Sequence, residues 1–347
     1  MRTPVFIVAA LIVAATVYGL ARLAGNDYVF FAGYVILQFV VLATAWNVLG
    51  GYCGYVNFGS AAFFALGAYT TVSLVKLPNL AAKYLPEGLA SLVAATVPPP
   101  IPVLMIVGGL VAGLVGLGTG YLTLRLRGVF FAIATLALAV VLQTLIVNWD
   151  YVGGSRGAYV IRPQTLAPAG INYVEYLFVM MLLLSVAALT VARAIERSQL
   201  GYGFATIRDD ELAAEASGVP TLRLKLVATT ISGALMGMAG APFPYYIGYL
   251  EPSSAFGLAY AVNSIAMPMI GGTTSWVGPL LGALLLGTLQ QVATVTISSA
   301  VSLLLVGLLL VGFVIIAPNG LLGLFGSLRR RMGAARAAGE SAKAGAA

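Results

Sequence analysis

The chain has 347 residues, of which 60% are hydrophobic and 8% charged, against roughly a quarter charged in a soluble domain. So few charges cannot coat a water-soluble surface of this size, and the length suits one bundle of membrane helices. There is no His and the only thiol is Cys53, which excludes disulfides, imidazole or thiolate metal sites and His general bases.

Runs of about 20 apolar residues predict spans over 4–21, 28–49, 56–75, 101–124, 128–149, 173–194, 226–250, 256–270, 277–297 and 300–317. The expected fold is therefore an all-α integral membrane protein with about ten transmembrane helices. The first run is too long for the apolar region of a signal peptide and closes on no small-residue cleavage pattern, so it is expected to stay as a helix. The stretch 79–100, bounded by Pro86-Glu87-Gly88 and Pro98-Pro99-Pro100, fits either a loop or a short interfacial or re-entrant helix. The 41 glycines suit helices packed backbone to backbone in lipid.

With the N-terminus inside, this arrangement leaves Arg22, Lys76, Lys83, Arg156 and Arg162 outside and every other Lys and Arg inside. The positive-inside rule thus favours both termini in the cytoplasm. That bias also accounts for the net charge of +7 without any nucleic-acid partner. Residues 1–325 form the expected membrane domain. Residues 326–347, rich in Gly, Ala and basic residues without apolar periodicity, are expected to be a disordered cytoplasmic tail, able to lie on anionic lipid headgroups.

The spans are almost free of ionisable residues, which are costly in hydrocarbon. Lys76, Asp150 and Glu175 fall at helix ends and read as interfacial anchors. A self-contained carrier driven by protons or sodium ions would need a buried acid or relay, and a membrane enzyme would need a cluster of nucleophile, base or ligands. Neither pattern is present, so energy for active transport is expected from outside the bilayer. No Gly-x-x-x-x-Gly-Lys-Ser/Thr phosphate loop occurs, so the chain is expected to bind no cofactor and to leave ATP to separate subunits.

One charged island interrupts the apolar pattern at 195–224. Residues 205–217 predict one exposed helix of good helix formers, with an Arg208–Glu211 pair at i, i+3, Gly218 at the left-handed C′ position and Pro220 beyond it. A charge run is usually a solvated connector, but a loop this long with its own helix also suits docking into another protein.

The run Gly203-Phe-Ala-Thr-Ile-Arg-Asp-Asp-Glu-Leu-Ala-Ala-Glu-Ala-Ser-Gly218 resembles the cytoplasmic coupling loop of LivM-type permeases of branched-chain amino-acid ABC importers. Further likenesses are Gly50–Tyr69, Leu124–Leu136, Met269–Ala283 and Pro318–Gly323. The importer pattern Glu-Ala-Ala-x-x-x-Gly is met here as Leu212-Ala-Ala-Glu-Ala-Ser-Gly218, with its acid displaced to Glu211. Asn57 stands where Ser is expected, and Ser60 where relatives often carry His. The resemblance implies a permease bundle of the type II importer kind in a bacterial inner membrane. It also implies a second homologous permease, two cytoplasmic ATPase subunits and a periplasmic or lipid-anchored solute-binding protein. The implied cargo is a branched-chain or other hydrophobic amino acid, with urea, short amides or nucleosides as alternatives. On this reading Arg208, Asp209, Asp210 and Glu211 supply polar contacts to the ATPase, Phe204, Ile207 and Leu212 are its buried anchors, and Ala214 and Gly218 complete the lever.

For Gly50–Gly59 two roles fit: helix packing, or a broken helix lining a water-filled path. For Gly271–Gly282 packing is the expected role. Asn57, Ser60, Thr135 and Gln143 are candidate path residues, as an amino acid in transit needs only weak polar contacts. Thr135, Gln143, Gln290 and Gln291 can equally hydrogen-bond neighbouring helices. Arg156 and Arg162 could dock acidic groups of a binding protein or simply face solvent.

Overall fold

Hydrocarbon offers no hydrogen-bond partners, so a backbone this apolar satisfies itself within helices. The computed structural model describes residues 3–161, 172–296, 304, 307–312, 315 and 320–324. Its helices are α1 (Thr3–Leu23), α2 (Asp27–Gly50), α3 (Ser60–Tyr84), α4 (Glu87–Thr96), α5 (Ile101–Thr123), α6 (Val129–Val147) and α7 (Tyr173–Glu196). There follow α8 (Gln199–Asp209), α9 (Glu211–Ala216), α10 (Thr221–Gly240), α11 (Phe243–Ile247), α12 (Pro252–Ala255), α13 (Leu258–Gly271) and α14 (Val277–Thr296). Among the described residues nine segments are long and apolar enough to cross a membrane, two of them the jointed pairs α10–α11 and α12–α13. The tenth expected span, 300–317, falls mostly outside the described residues, and the tail 326–347 lies wholly outside them.

Several boundaries differ from expectation; the seventh span begins at Thr221 rather than 226 and the eighth at Pro252 rather than 256. The third span begins at Ser60 rather than 56, because Gly51–Gly59 is a non-helical elbow, and it runs on to Tyr84 through Pro78. The 79–100 stretch then turns into α4, ten largely exposed residues and too short to span a bilayer.

The centre of the bundle is a glycine-lined junction of α3, α5 and α10. A Cβ on Gly67 would collide with the Gly237 carbonyl, one on Gly237 with Ala112 and the Gly108 carbonyl, and one on Gly240 with the Phe64 carbonyl. Close backbone approach replaces the hydrophobic drive that lipid removes. The outer helices α1 and α6 are mostly exposed, as lipid-facing helices are. The ends of α1 are pinned to α7. Near one end Arg193 stacks on the Phe6 ring, 3.9 Å from its centroid, and at the other the Tyr18 hydroxyl donates to the buried Glu175 carboxylate at 2.6 Å. Glu175, expected as an interfacial anchor, is a buried carboxylate that ties α7 to Tyr18 and Arg22 of α1.

The two ends of the bundle differ. One carries the elbow, the α5–α6 turn, the α7–α10 connection and the α13–α14 turn, with Arg125, Arg127, Arg197, Arg208, Arg223 and Lys225; we call it the basic end. The other carries α4 and a two-stranded antiparallel ribbon, β1 (Ala158–Tyr159) on β2 (Tyr249–Leu250).

Gly237→Val should force α5 and α10 apart and cost about 1–3 kcal/mol, read as a lower melting temperature in detergent. Gly118→Ala, with open space around its Cβ, should leave the melting temperature unchanged.

Candidate functional site

The charged island folds as two helices rather than one. At Asp210 the backbone is extended, φ −159° and ψ 109°, and the carboxylate accepts the Leu212 and Ala213 amides at 2.9 and 3.0 Å. An N-cap of this kind starts a helix, so Asp210 ends α8 and begins α9. The expected Arg208–Glu211 pair gives way to Arg208 with Asp209, at 3.3 Å. Gly218 has φ +83° and donates to the Glu215 carbonyl at 2.9 Å, closing α9 in the left-handed conformation that its position predicted.

Phe204 and Ile207, expected as anchors for another protein, are instead buried in this chain's own cluster with Val48, Cys53, Leu124 and Ala192. Ala214 is buried as well. The loop's outward surface is Tyr202, Arg208, Asp209 and Leu212, the last 63% exposed.

Glu211 turns inward. Its carboxylate accepts from Lys225 Nζ at 2.7 Å and from the Tyr55 hydroxyl, and Arg127 approaches at 3.6 Å. Lys225, whose side chain is 3% exposed, also donates to the Leu124 carbonyl and to the Tyr55 hydroxyl, each at 3.1 Å, and lies over the Tyr55 ring. Glu215, one turn along α9, accepts from Arg127 at 3.0 Å and from the Thr221 hydroxyl at 2.8 Å. These contacts join α9, α10, the α5–α6 turn and the elbow in one charge cluster. Burial, then the Glu211 hydrogen bond, pushes the Tyr55 phenol well above its ordinary value. Burial likewise pushes the neighbouring Cys53 thiol up to about 12. The Thr221 hydroxyl, with Arg127 behind it, holds the Glu215 carboxyl below its usual range.

Sequence reasoning named Glu211 but not Tyr55, Arg127, Glu215, Thr221 or Lys225. The available signal was the Glu211/Glu215 spacing of four, which puts two acids on one face of a helix and demands cations opposite. Lys225, just before an apolar span, and Arg127, in the preceding turn, were the candidates.

Three of the four path candidates converge on the elbow. Asn57 is buried; its carbonyl accepts the Trp46 indole N–H at 2.9 Å and its side-chain oxygen accepts the Gly59 amide at 2.7 Å. The Thr135 hydroxyl accepts the Phe58 amide at 3.2 Å, and Ser60 meets Ser264 oxygen to oxygen at 2.9 Å. Asn57 and Thr135 border a cleft shared with Thr119, Thr123 and Thr229, narrow enough to hold little more than a water molecule. The broken-helix geometry of Gly50–Gly59 is therefore present, with its freed backbone groups held by side chains. Gln143 lies outside that cleft, on an open groove between α6 and the α12–α13 joint that Phe58 and Ala61 also line. Gln290 and Gln291 bond neighbouring helices, to Asn263 and Tyr28. At Gly271–Gly282 the packing role fits, since Cβ atoms at Gly271, Gly278 or Gly282 would strike backbone. At the opposite end Arg156 sits beside the ribbon, its carbonyl accepting the Tyr249 hydroxyl at 2.5 Å; Arg162 lies outside the described residues.

Removing one partner of a buried ion pair costs about 3–5 kcal/mol. Lys225→Met should therefore lower the melting temperature in lipid nanodiscs. The double replacement Lys225→Met with Glu211→Leu should recover part of the loss, because no unpaired charge remains; equal loss in both would contradict the pairing.

The chain is 29% identical to the high-affinity branched-chain amino acid transport system permease protein LivM of Escherichia coli K12, over 82% of this chain and 67% of that protein. It is 24% identical to the probable branched-chain amino acid transport permease LivH of Methanocaldococcus jannaschii, over 77% and 82%. A ribose import permease, RbsC of Haemophilus influenzae, is 23% identical over 55% and 59%. No solved structure matches. The pattern of the family described as branched-chain amino acid transport system / permease component matches residues 28–314, and the chain belongs to that family of multi-pass membrane permeases.

Proposed function

We propose that this permease is one membrane subunit of an ATP-driven importer of branched-chain or other hydrophobic amino acids. Its basic end docks onto one of the two ATPase subunits of the assembly, and a solute-binding protein delivers cargo at the opposite end. A second homologous permease completes the pathway. The observation that carries the reading is the α8–α9 loop: a capped, two-helix projection whose inner face is fixed to the bundle and whose outer face, Arg208, Asp209 and Leu212, is free for a partner.

On this reading the basic end is cytoplasmic in a bacterial inner membrane, by the positive-inside rule, and both termini lie on that side. The exposed Leu212 takes over the anchoring role first assigned to Phe204 and Ile207, with Asp209 and Arg208 as polar rim. Cargo would pass the narrow cleft beside Asn57 and Thr135, which is shut in this conformation and needs the elbow to shift. The likeness to a ribose import permease supports the same machinery with other small polar cargo as a second reading.

Proteoliposomes holding the chain with its second permease, ATPase subunits and solute-binding protein should accumulate radiolabelled leucine only with ATP. Leu212→Asp should cut both ATPase co-purification and uptake about tenfold or more, the scale of a lost interface anchor. Uptake by this chain alone under an ion gradient would contradict the reading.

A further inference from the structure

Tyr55 joins the elbow to the charged loop through its hydroxyl. Its hydroxyl donates to Glu211 and accepts from Lys225. One residue before it, Gly54 has φ +78° and lies against α8: a Cβ there would come within 3.0–3.3 Å of the Arg208 side chain and Cα. The elbow backbone is thus laid directly on the loop at one point and bonded to it at the next.

Beyond Tyr55 the elbow is equally tied to the bundle interior. The Tyr55 amide donates to the Leu49 carbonyl at 3.1 Å, the Asn57 carbonyl takes the Trp46 indole, and the Phe58 amide reaches Thr135 on α6. From Glu211 through Tyr55 to Asn57 and Phe58 there is an unbroken series of hydrogen bonds and covalent bonds only a few residues long, and it meets α6 at the 3.2 Å Phe58–Thr135 contact. Lys225 and Asn57 are buried, where an unmade hydrogen bond is costly, so the loop and the elbow are held to each other as a unit.

The second glycine-rich turn is held differently. The Trp276 amide donates to Glu196 at the end of α7, at 2.9 Å, and Arg193 on the same helix lies 5.8 Å from the Trp276 ring. The two turns meet backbone to backbone, since a Cβ on Gly51 would lie 2.7 Å from the Thr273 carbonyl. One turn is bonded to the loop and the other to the end of a spanning helix, and the two touch at Gly51 and Thr273.

We infer that the Glu211–Lys225–Tyr55 contact transmits movement of the α8–α9 loop to the elbow, so that Asn57 and Phe58 shift against Thr135 and the second turn and open the cleft. This rests on the reading of the loop as an ATPase docking site. Tyr55 and Lys225 are then positioning residues, acting through the elbow rather than on cargo. The shared acid explains why Glu211 faces inward while its neighbours Asp209 and Leu212 face out.

The test compares Tyr55→Phe with the wild-type chain in the assembled transporter. The phenylalanine ring preserves packing and the cation contact while removing the hydroxyl link. Expected are an unchanged amount of bound ATPase, ATP hydrolysis within about twofold of wild type, and amino acid taken up per ATP lower by about tenfold, the size of a coupling loss through one contact. Glu211→Gln, which keeps a hydrogen bond to Lys225, should lower the same ratio and serves if the first variant accumulates poorly. An unchanged ratio in both variants overturns the inference, as does a parallel fall of hydrolysis and uptake with melting temperature, which would mark a purely structural contact. Failure of the wild-type chain to bind ATPase would instead overturn the docking reading beneath it.

Discussion

A primary ammonium, 3% exposed at the edge of a hydrocarbon-spanning bundle, is the constraint around which the basic end is built. Lys225 cannot be left unpaired there without a cost of several kcal/mol, and its three protons go to Glu211, Tyr55 and Leu124. Each acceptor belongs to a different part of the chain. Satisfying one charge therefore fixes α9, the elbow and the α5–α6 turn relative to α10. Arg127 and Glu215 extend the same logic outward, where solvent weakens each contact.

Away from that end, the bundle is held by shape rather than charge. Glycines on α3, α5 and α10 let three backbones touch, and the two glycine-rich turns touch each other in the same way. Contacts of this kind bring backbones closer than any larger residue would allow. The polar groups exposed by the broken helix at the elbow are held by Trp46, Asn57 and Thr135. A chain nearly devoid of intramembrane charge can thus present a narrow polar cleft beside that elbow without stranding a charged group in lipid.

Much of this was legible in the sequence because the signals are local. Apolar runs marked the spans, and the Asp-Asp-Glu island and Gly218 marked a capped projection. What was not legible depended on pairing between distant segments. Phe204 and Ile207 look like the exposed apolar positions of an amphipathic helix, yet Val48, Leu124 and Ala192 cover them. Asp210 breaks the expected single helix because its carboxylate competes for the next amides, an effect that helix propensity alone does not capture. Lys225 and Arg127 lie 14 and 84 positions from Glu211, so nothing in the local pattern joined them. The span after Gly59 was begun too early because hydropathy averages across a short elbow that is apolar in composition but not helical.

The central claim, that loop and elbow form one moving unit, is tested most directly by distance. Spin labels at Ser217→Cys and Val56→Cys, both exposed, can be measured by pulsed electron resonance in the assembled transporter with and without trapped ATP; Cys53 is fully buried and stays unlabelled. A second pair, Val56→Cys with Met269→Cys on α13, reports the elbow against the helix behind it. The expected result is an unchanged loop–elbow distance while the elbow–α13 distance shifts with nucleotide. A loop that moves away from a stationary elbow would contradict the account.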